Sequence, residues 1–443
     1  MVERDERVGS LEFDSSGTGF GGVILVVVSL TPKRCSATSE THPKPMNSAA
    51  LVRPAALFLL TLAIAFHAPL PAATAGPADE STDLSFGKRH ILHSKVLGRD
   101  QEIWIYTPPG YEDSATNPLV PVLYFSDAGK NYLHLVGLVD ILASAARQIP
   151  PVVMVGIANR GGTDDRTADL TPTLSTKQKV GGGAEKSYQF IRDEVIPYVE
   201  ARHRAAPFRI LAGQSLGGLF ALHVLREHPE TFNAIIASSP SLWWDDRVLL
   251  KNNDRWGREG QFLFFTMEKP DRETPHPSAA REFLRILSDH AAPGLKWEFK
   301  GYPAEWHGSV YHRSFYDGLQ FVFPDWDFSL ATDLTGNVSY AQLVEHHAKL
   351  SQRYGYNIPV SLTTVQAVGN ELVAQKRFQD AAAFCTAHVE RFPDSSGAHA
   401  LLASVHQRAG DLVAARASYE KAIELDPKNP AAKRALAELS SAK

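Results

Sequence analysis

Five short stretches of this chain are almost continuously apolar: VPVLYF (120–125), PVVMVGIA (151–158), FRILAG (208–213), FNAIIAS (232–238) and QFLFFTM (261–267). They are too short for buried helices and too apolar for strands with one wet face, so they read as strands covered on both sides. Helical patterns separate them, among them KSYQFIRDEVIPYVEARH (186–203) and SAAREFLRILSDHAA (278–292). Strands alternating with helices give a mostly parallel sheet with helices on both faces. Ahead of the series, residues 86–107 hold two β-rich runs, RHILHSKVL and QEIWIYTPP, split by Gly98-Arg99-Asp100. These predict an antiparallel hairpin, and LKWEFKGY (295–302) predicts one more strand at the far end. Two antiparallel strands leading a parallel sheet suggest an α/β-hydrolase arrangement spanning residues 86–326.

The chain has 443 residues, enough for two or three domains. A net charge of −4 without blocks of like charge gives no sign of a nucleic-acid or anionic-membrane partner. From Met46 the sequence follows the order of a secretory signal: Arg53, an apolar core over 55–66, and a small-residue cleavage site at Ala73-Thr74-Ala75. The apolar core is short for a bilayer span. The reading is therefore export to the periplasm or beyond, with residues 46–75 as signal peptide. Residues 1–45 are read as a non-native upstream extension. Of two cysteines, Cys35 lies in that leader, so the mature chain keeps Cys385 alone and forms no internal disulfide.

Beyond Trp326 the composition turns to helix formers, and a repeat emerges. Pro427 follows Pro393 by 34 positions, as Ala415 follows Ala381 and Leu402 follows Val368. Leu402-Ala403, Gly410, Ala415, Tyr419, Ala422 and Pro427 stand at the spacings of a tetratricopeptide repeat. Two repeats are expected, 362–395 and 396–429, within a helical domain over 336–443. Two repeats are marginal alone and should pack on 336–356 or on the first domain. Such a module offers a protein-interaction surface, a means of self-association, or a cover for the site.

Gly213-Gln214-Ser215-Leu216-Gly217 matches G-x-S-x-G at the end of an apolar run and at the start of the helical pattern LGGLFALHVLREH. In a nucleophile elbow the serine sits on a tight strand-to-helix turn whose glycines avoid a Cβ clash. A serine hydroxyl needs a base. His307, in EWHGSVYHR after the last expected strand, is the candidate, with His312 as its neighbour in the next helix. The acid should follow QFLFFTM; Glu268, Asp271 and Glu273 qualify, and Asp271 is preferred with Glu268 next. Two backbone N–H groups should form an oxyanion hole: that of Leu216 and that of Ala128 or Gly129 in DAGK. Trp243 and Trp244 follow ASSPS at a strand end, where they either wall a substrate or pack the domain. Arg166 and Asp169 are expected to pair with each other.

Residues 88–325 resemble the enterochelin-esterase-like and esterase-D-like branch of the α/β-hydrolases. The resemblance rests on PVLYFSDAGK, VGIANRGGTDDRTADLTPT, YQFIRDEVIPYVEARHR, RILAGQSLGGLFALHVLREHPETFNAIIASSPSLWWDD and EWHGSVYHRSFYDGLQFVF. It implies ester hydrolysis by a serine without metal or organic cofactor. It gives Ser215 and His307 the nucleophile and base positions and matches Asp271 to the acid. Ala128 and Glu268 stand where the family often has glycine. Siderophore trilactones, feruloyl esters and other small esters all stand open as substrates; acyl transfer by the same triad, or an inactive hydrolase scaffold carrying a repeat module, are the alternatives.

Overall fold

A computed structural model describes residues 84–111, 118–159, 163–251 and 255–441. The expected extension and signal peptide lie outside the described residues. The strands are β1 (Lys88–Ser94), β2 (Arg99–Tyr106), β3 (Val120–Ser126), β4 (Val153–Ile157), β5 (Ala205–Gln214), β6 (Ala234–Ser238), β7 (Phe262–Glu268) and β8 (Lys296–Tyr302). They form one eight-stranded sheet in the order β1-β2-β4-β3-β5-β6-β7-β8. β1 runs antiparallel to β2 and β2 to β4, and every other pair is parallel. The hairpin and each apolar run of the sequence thus become strands of the hydrolase sheet.

The helices flanking the sheet are α1 (Ala128–Ala143), α2 (Thr163–Leu170), α3 (Ala184–Phe190), α4 (Ile196–Glu200), α5 (Leu216–Glu227), α6 (Trp244–Arg247), α7 (Pro275–His290), α8 (Val310–Val322) and the short α9 (Phe328–Ala331). A π-helical turn, Ile191–Val195, joins α3 to α4. Side chains alternate between two cores because a strand has a period of two. Val122, Tyr124, Leu211 and Ile235 enter the core beneath α5 and α7, whereas Leu123, Phe125, Ile210 and Ile236 enter the core shared with α1 and α8. Every residue of β3 and β6 is buried. The outer strands β1 and β8 alternate with exposed positions, and their charged residues, Lys88 and Arg89 or Lys296 and Lys300, discourage pairing with another chain.

Six further helices follow: α10 (Tyr340–Tyr354), α11 (Leu362–Ala374), α12 (Phe378–Arg391), α13 (Ser396–Ala409), α14 (Leu412–Leu425) and α15 (Pro430–Ser441). Helices α11–α12 and α13–α14 fall on the two expected repeats, 362–395 and 396–429. In the first, Cys385 fills the space that Gly369 leaves open, its Sγ lying 3.3 Å from where a Cβ would stand. His388 bonds through Nδ1 with the Tyr340 hydroxyl of α10 at 2.9 Å. Of the two residues that make this repeat atypical, Cys385 packs α12 against α11 and His388 joins the repeat to α10. Helix α10 begins with a capping box, Ser339 with Gln342, and ends on Gly355 at φ 73. Its Leu343 belongs to the core of the repeats, while Leu350 and Tyr354 belong to the hydrolase core. The Tyr354 ring packs edge-on against Phe208 at 5.1 Å, and its hydroxyl donates to the carbonyl of Val322 at 3.1 Å. Phe208 and Phe262 lie at the starts of β5 and β7, so the repeats are anchored at the end of the sheet away from Ser215 and do not cover that residue. Among the described residues no helix is long and apolar enough to cross a membrane.

Candidate active site

Ser215 is the N-cap of α5 and has φ 59 and ψ −117. A non-glycine residue in that conformation costs on the order of 1–3 kcal/mol and persists only where its surroundings fix it. Here the Ser215 N–H donates to Ser238 O at 3.0 Å, and its carbonyl accepts from Ser241 N at 3.0 Å and Leu219 N at 2.9 Å. The flanking glycines are required by close approach: a Cβ on Gly213 would fall 2.3 Å from the backbone of Gly217. The Ser215 hydroxyl stands 3.1 Å from that of Ser241.

His307 lies between β8 and α8, and the side-chain amide of Gln214, next to Ser215, donates to its carbonyl. This ties the histidine loop to the elbow. His307 Nδ1 bonds Glu268 Oε1 at 2.9 Å, leaving Nε2 without a partner among the described residues. No hydrogen bond joins His307 to Ser215 among the described residues. The carboxylate facing the imidazole is Glu268, not Asp271. Glu268 is the last residue of β7, so its side chain reaches into the space above the strand ends. Lys269 then takes φ 45, and the chain turns outward, leaving Asp271 in solvent and Glu273 paired with Arg281 at 3.0 Å. Burial would raise the Glu268 pKa, but hydrogen bonds from His307 and Ser239 outweigh it and hold the carboxyl below its ordinary value. His312 sits in α8 and faces His134.

Leu216 and Ala128 are the first residues of α5 and α1, where an N–H has no intrahelical acceptor. Ala128 is fully buried, while the following Gly129 is exposed. Asp127, the N-cap of α1, is left-handed at φ 62 and buried. Its carboxylate accepts from Arg166 Nε at 2.5 Å and Nη2 at 2.8 Å, and Nη2 also reaches the Gln214 carbonyl at 3.2 Å. Arg166 therefore braces the α1 N-terminus against the elbow. The expected Arg166–Asp169 pair does not form, because Asp169 is held by Arg99 at 2.6 Å.

Trp244 is 1% exposed and donates to the Thr173 carbonyl at 3.3 Å, so it packs the domain and walls no substrate. Trp243 is half-buried, and its indole N–H donates to His276 Nδ1 at 3.1 Å. Sequence reasoning missed His276 and Ser239, which adjoin Glu268. The available signal was Thr274-Pro275-His276-Pro277, a helix start directly after the β7 turn. Glu268, His276 and His307 offer ligand atoms within 4.8 Å of one another. Both nitrogens of His276 and Nδ1 of His307 are engaged in hydrogen bonds, which favours a relay over a metal centre. Trp306, 64% exposed beside His307, carries the Lys269 ammonium 2.8 Å from its ring centroid.

A parallel sheet led by an antiparallel hairpin, with a serine elbow after β5, defines an α/β-hydrolase. Residues 94–275 match the family described as "Putative esterase", and residues 372–439 match the tetratricopeptide repeat. The siderophore triacetylfusarinine C esterase of Aspergillus fumigatus is 33% identical over 272 residues, covering 52% of this chain and 91% of that protein. The ferri-bacillibactin esterase BesA of Bacillus subtilis is 29% identical over 43% of this chain and 74% of its own length. A solved IroE-like serine hydrolase of Shewanella oneidensis superimposes with a TM-score of 0.55 at 27% identity, over 67% of this chain and 97% of its own. The chain belongs to this esterase family and carries tetratricopeptide repeats behind the hydrolase fold. These relatives support an ester-hydrolase function.

Proposed function

We propose that the protein hydrolyses carboxylic esters through a serine acyl-enzyme, with Ser215 as nucleophile, His307 as base and Glu268 as acid. The observation that carries this is the strained Ser215 at the elbow with the His307 loop tied to its neighbour Gln214 and Glu268 on the far nitrogen of the imidazole. The Ser215 hydroxyl leaves Ser241 and gives its proton to His307 Nε2 as its oxygen attacks the ester carbonyl. Leu216 N–H and the first turn of α1, Ala128 with Gly129, receive the oxyanion. The imidazolium, stabilised by Glu268, then protonates the leaving alcohol. Water, activated by His307 in turn, releases the acid and restores Ser215.

The names of the relatives support a siderophore ester as substrate. Trp306 with Lys269 and Arg272 beside it gives the rim an aromatic and cationic character suited to an anionic or aromatic acyl group. Residues 86–326 act as the catalytic domain and 336–443 as a partner-binding module. Residues 46–75 direct export, and N-terminal sequencing of exported protein should begin near Gly76. In the decisive test, Ser215→Ala abolishes p-nitrophenyl ester turnover and fluorophosphonate labelling while the far-ultraviolet dichroism is unchanged. A variant as active as the parent would overturn the mechanism.

A further inference from the structure

We infer that His276, its tautomer set by Trp243, is a positioning residue that keeps the Ser239 hydroxyl donating to Glu268, the carboxylate that holds His307. The catalytic consequence rests on the mechanism proposed above; the hydrogen-bond polarity itself does not.

The direction starts at the indole, because a tryptophan N–H can only donate. It meets His276 Nδ1 at 3.1 Å, so that nitrogen must present its lone pair. The ring proton of neutral His276 therefore sits on Nε2, which lies 3.2 Å from Ser239 Oγ and donates to it. With a donor already on its oxygen, Ser239 turns its own proton to Glu268 Oε2, while the same oxygen also lies 3.3 Å from His307 Nδ1. An ionised carboxylate only accepts, so Glu268 Oε1 takes the proton end of His307 Nδ1 at 2.9 Å. That leaves His307 Nε2 as a lone pair, the form a base needs. In the opposite tautomer of His276, two N–H groups would face each other at the Trp243 contact. Ser239 would then turn its proton to His276, and Glu268 would lose one of its two side-chain donors.

The surroundings of His276 agree with a neutral ring. Glu268 faces it from β7, His307 from the loop after β8 with ring centroids 5.1 Å apart, and Trp243 from the loop after β6. Burial lowers its pKa, and so does His307, against the upward pull of Glu268. Ser239 is fully buried and held at φ 45, a conformation that favours glycine. A serine kept there supplies the one hydroxyl that joins the two halves of the relay.

Nitrogen-15 NMR of the wild-type imidazoles reads the polarity without any substitution. His276 should be neutral and protonated on Nε2 near neutral pH; a ring protonated on Nδ1 would overturn the inference. Kinetics then test the consequence, with each rate divided by the sites that a fluorophosphonate titrates. His276→Phe should lower kcat about tenfold with KM little changed, the loss expected from one charge-assisted hydrogen bond. His276→Gln, which can still donate to Ser239, should recover most of that loss, and Ser239→Ala should reproduce it if His276→Phe does not fold. Per-site kcat equal to the parent in both His276→Phe and Ser239→Ala would refute the positioning role. Absence of fluorophosphonate labelling at Ser215 in the parent would instead sink the hydrolase mechanism, leaving the tautomer to be judged by NMR alone.

Discussion

Replacing Glu268 with glutamine keeps the shape of the side chain and removes its charge. In the parent the carboxylate accepts from His307 at 2.9 Å, and in the mechanism proposed above the imidazolium would sit against it. Two unit charges about 4 Å apart near a protein surface interact by about 4 kcal/mol. The His307 side chain is 46% exposed and Glu268 14%, so water screens part of this, leaving roughly 2–3 kcal/mol. That corresponds to about a hundredfold in kcat. The expected result for Glu268→Gln is therefore a fall in p-nitrophenyl acetate turnover of about two orders of magnitude per titrated site. Asp271→Asn, altering an exposed carboxylate with no bond to His307, should stay within about twofold. A parent-like rate in Glu268→Gln, or the hundredfold loss appearing in Asp271→Asn instead, would refute the assignment.

Gly213→Ala forces a methyl to within 2.3 Å of rigid backbone at Gly217. It should cost at least about 2–3 kcal/mol in urea denaturation and most of the activity, and a fully stable, active variant would show that the elbow can relax. Tyr354→Phe removes only the bond to Val322 and should cost about 1 kcal/mol, whereas Tyr354→Ala should cost about 3–5 kcal/mol; calorimetry distinguishes the two. Burial pushes His347 in α10 down to about 4 from 6.5. The unfolded chain then takes up a proton that the folded chain refuses. Stability should accordingly fall by roughly 3 kcal/mol as pH drops from about 6.5 to about 4. Urea midpoints across that range should flatten in His347→Gln, and identical slopes in both proteins would count against a buried neutral ring.

The sheet was legible because strands covered on both faces must be written in apolar residues, and VPVLYF or FNAIIAS admit few other readings. Ser215 was legible for a related reason: its neighbours must be small for the backbone to turn. The carboxylate that faces His307 was not, because the choice between Glu268 and Asp271 depends on a left-handed residue at Lys269 that no local pattern announces. Trp243 and Trp244 look equivalent in sequence, yet one is sealed in the core and the other touches His276. Their separate fates follow from the direction of each side chain, which the composition of SLWWDD does not carry. Likewise Arg166 found Asp127, 39 positions away, in place of its near neighbour Asp169. Long-range pairing of this kind is decided by the crossover between β3 and β4, not by spacing.

Helix α10 belongs to two interiors at once, giving Leu343 to one and Leu350 and Tyr354 to the other. A helix shared in this way works as a rivet: neither half can loosen without uncovering apolar surface on both. A chain cut before residue 340 would bare Phe208, Phe262 and Phe323 and should clump. A chain left whole holds its repeats as a fixed handle behind the strands, at the far end of the sheet from the mouth at Ser215.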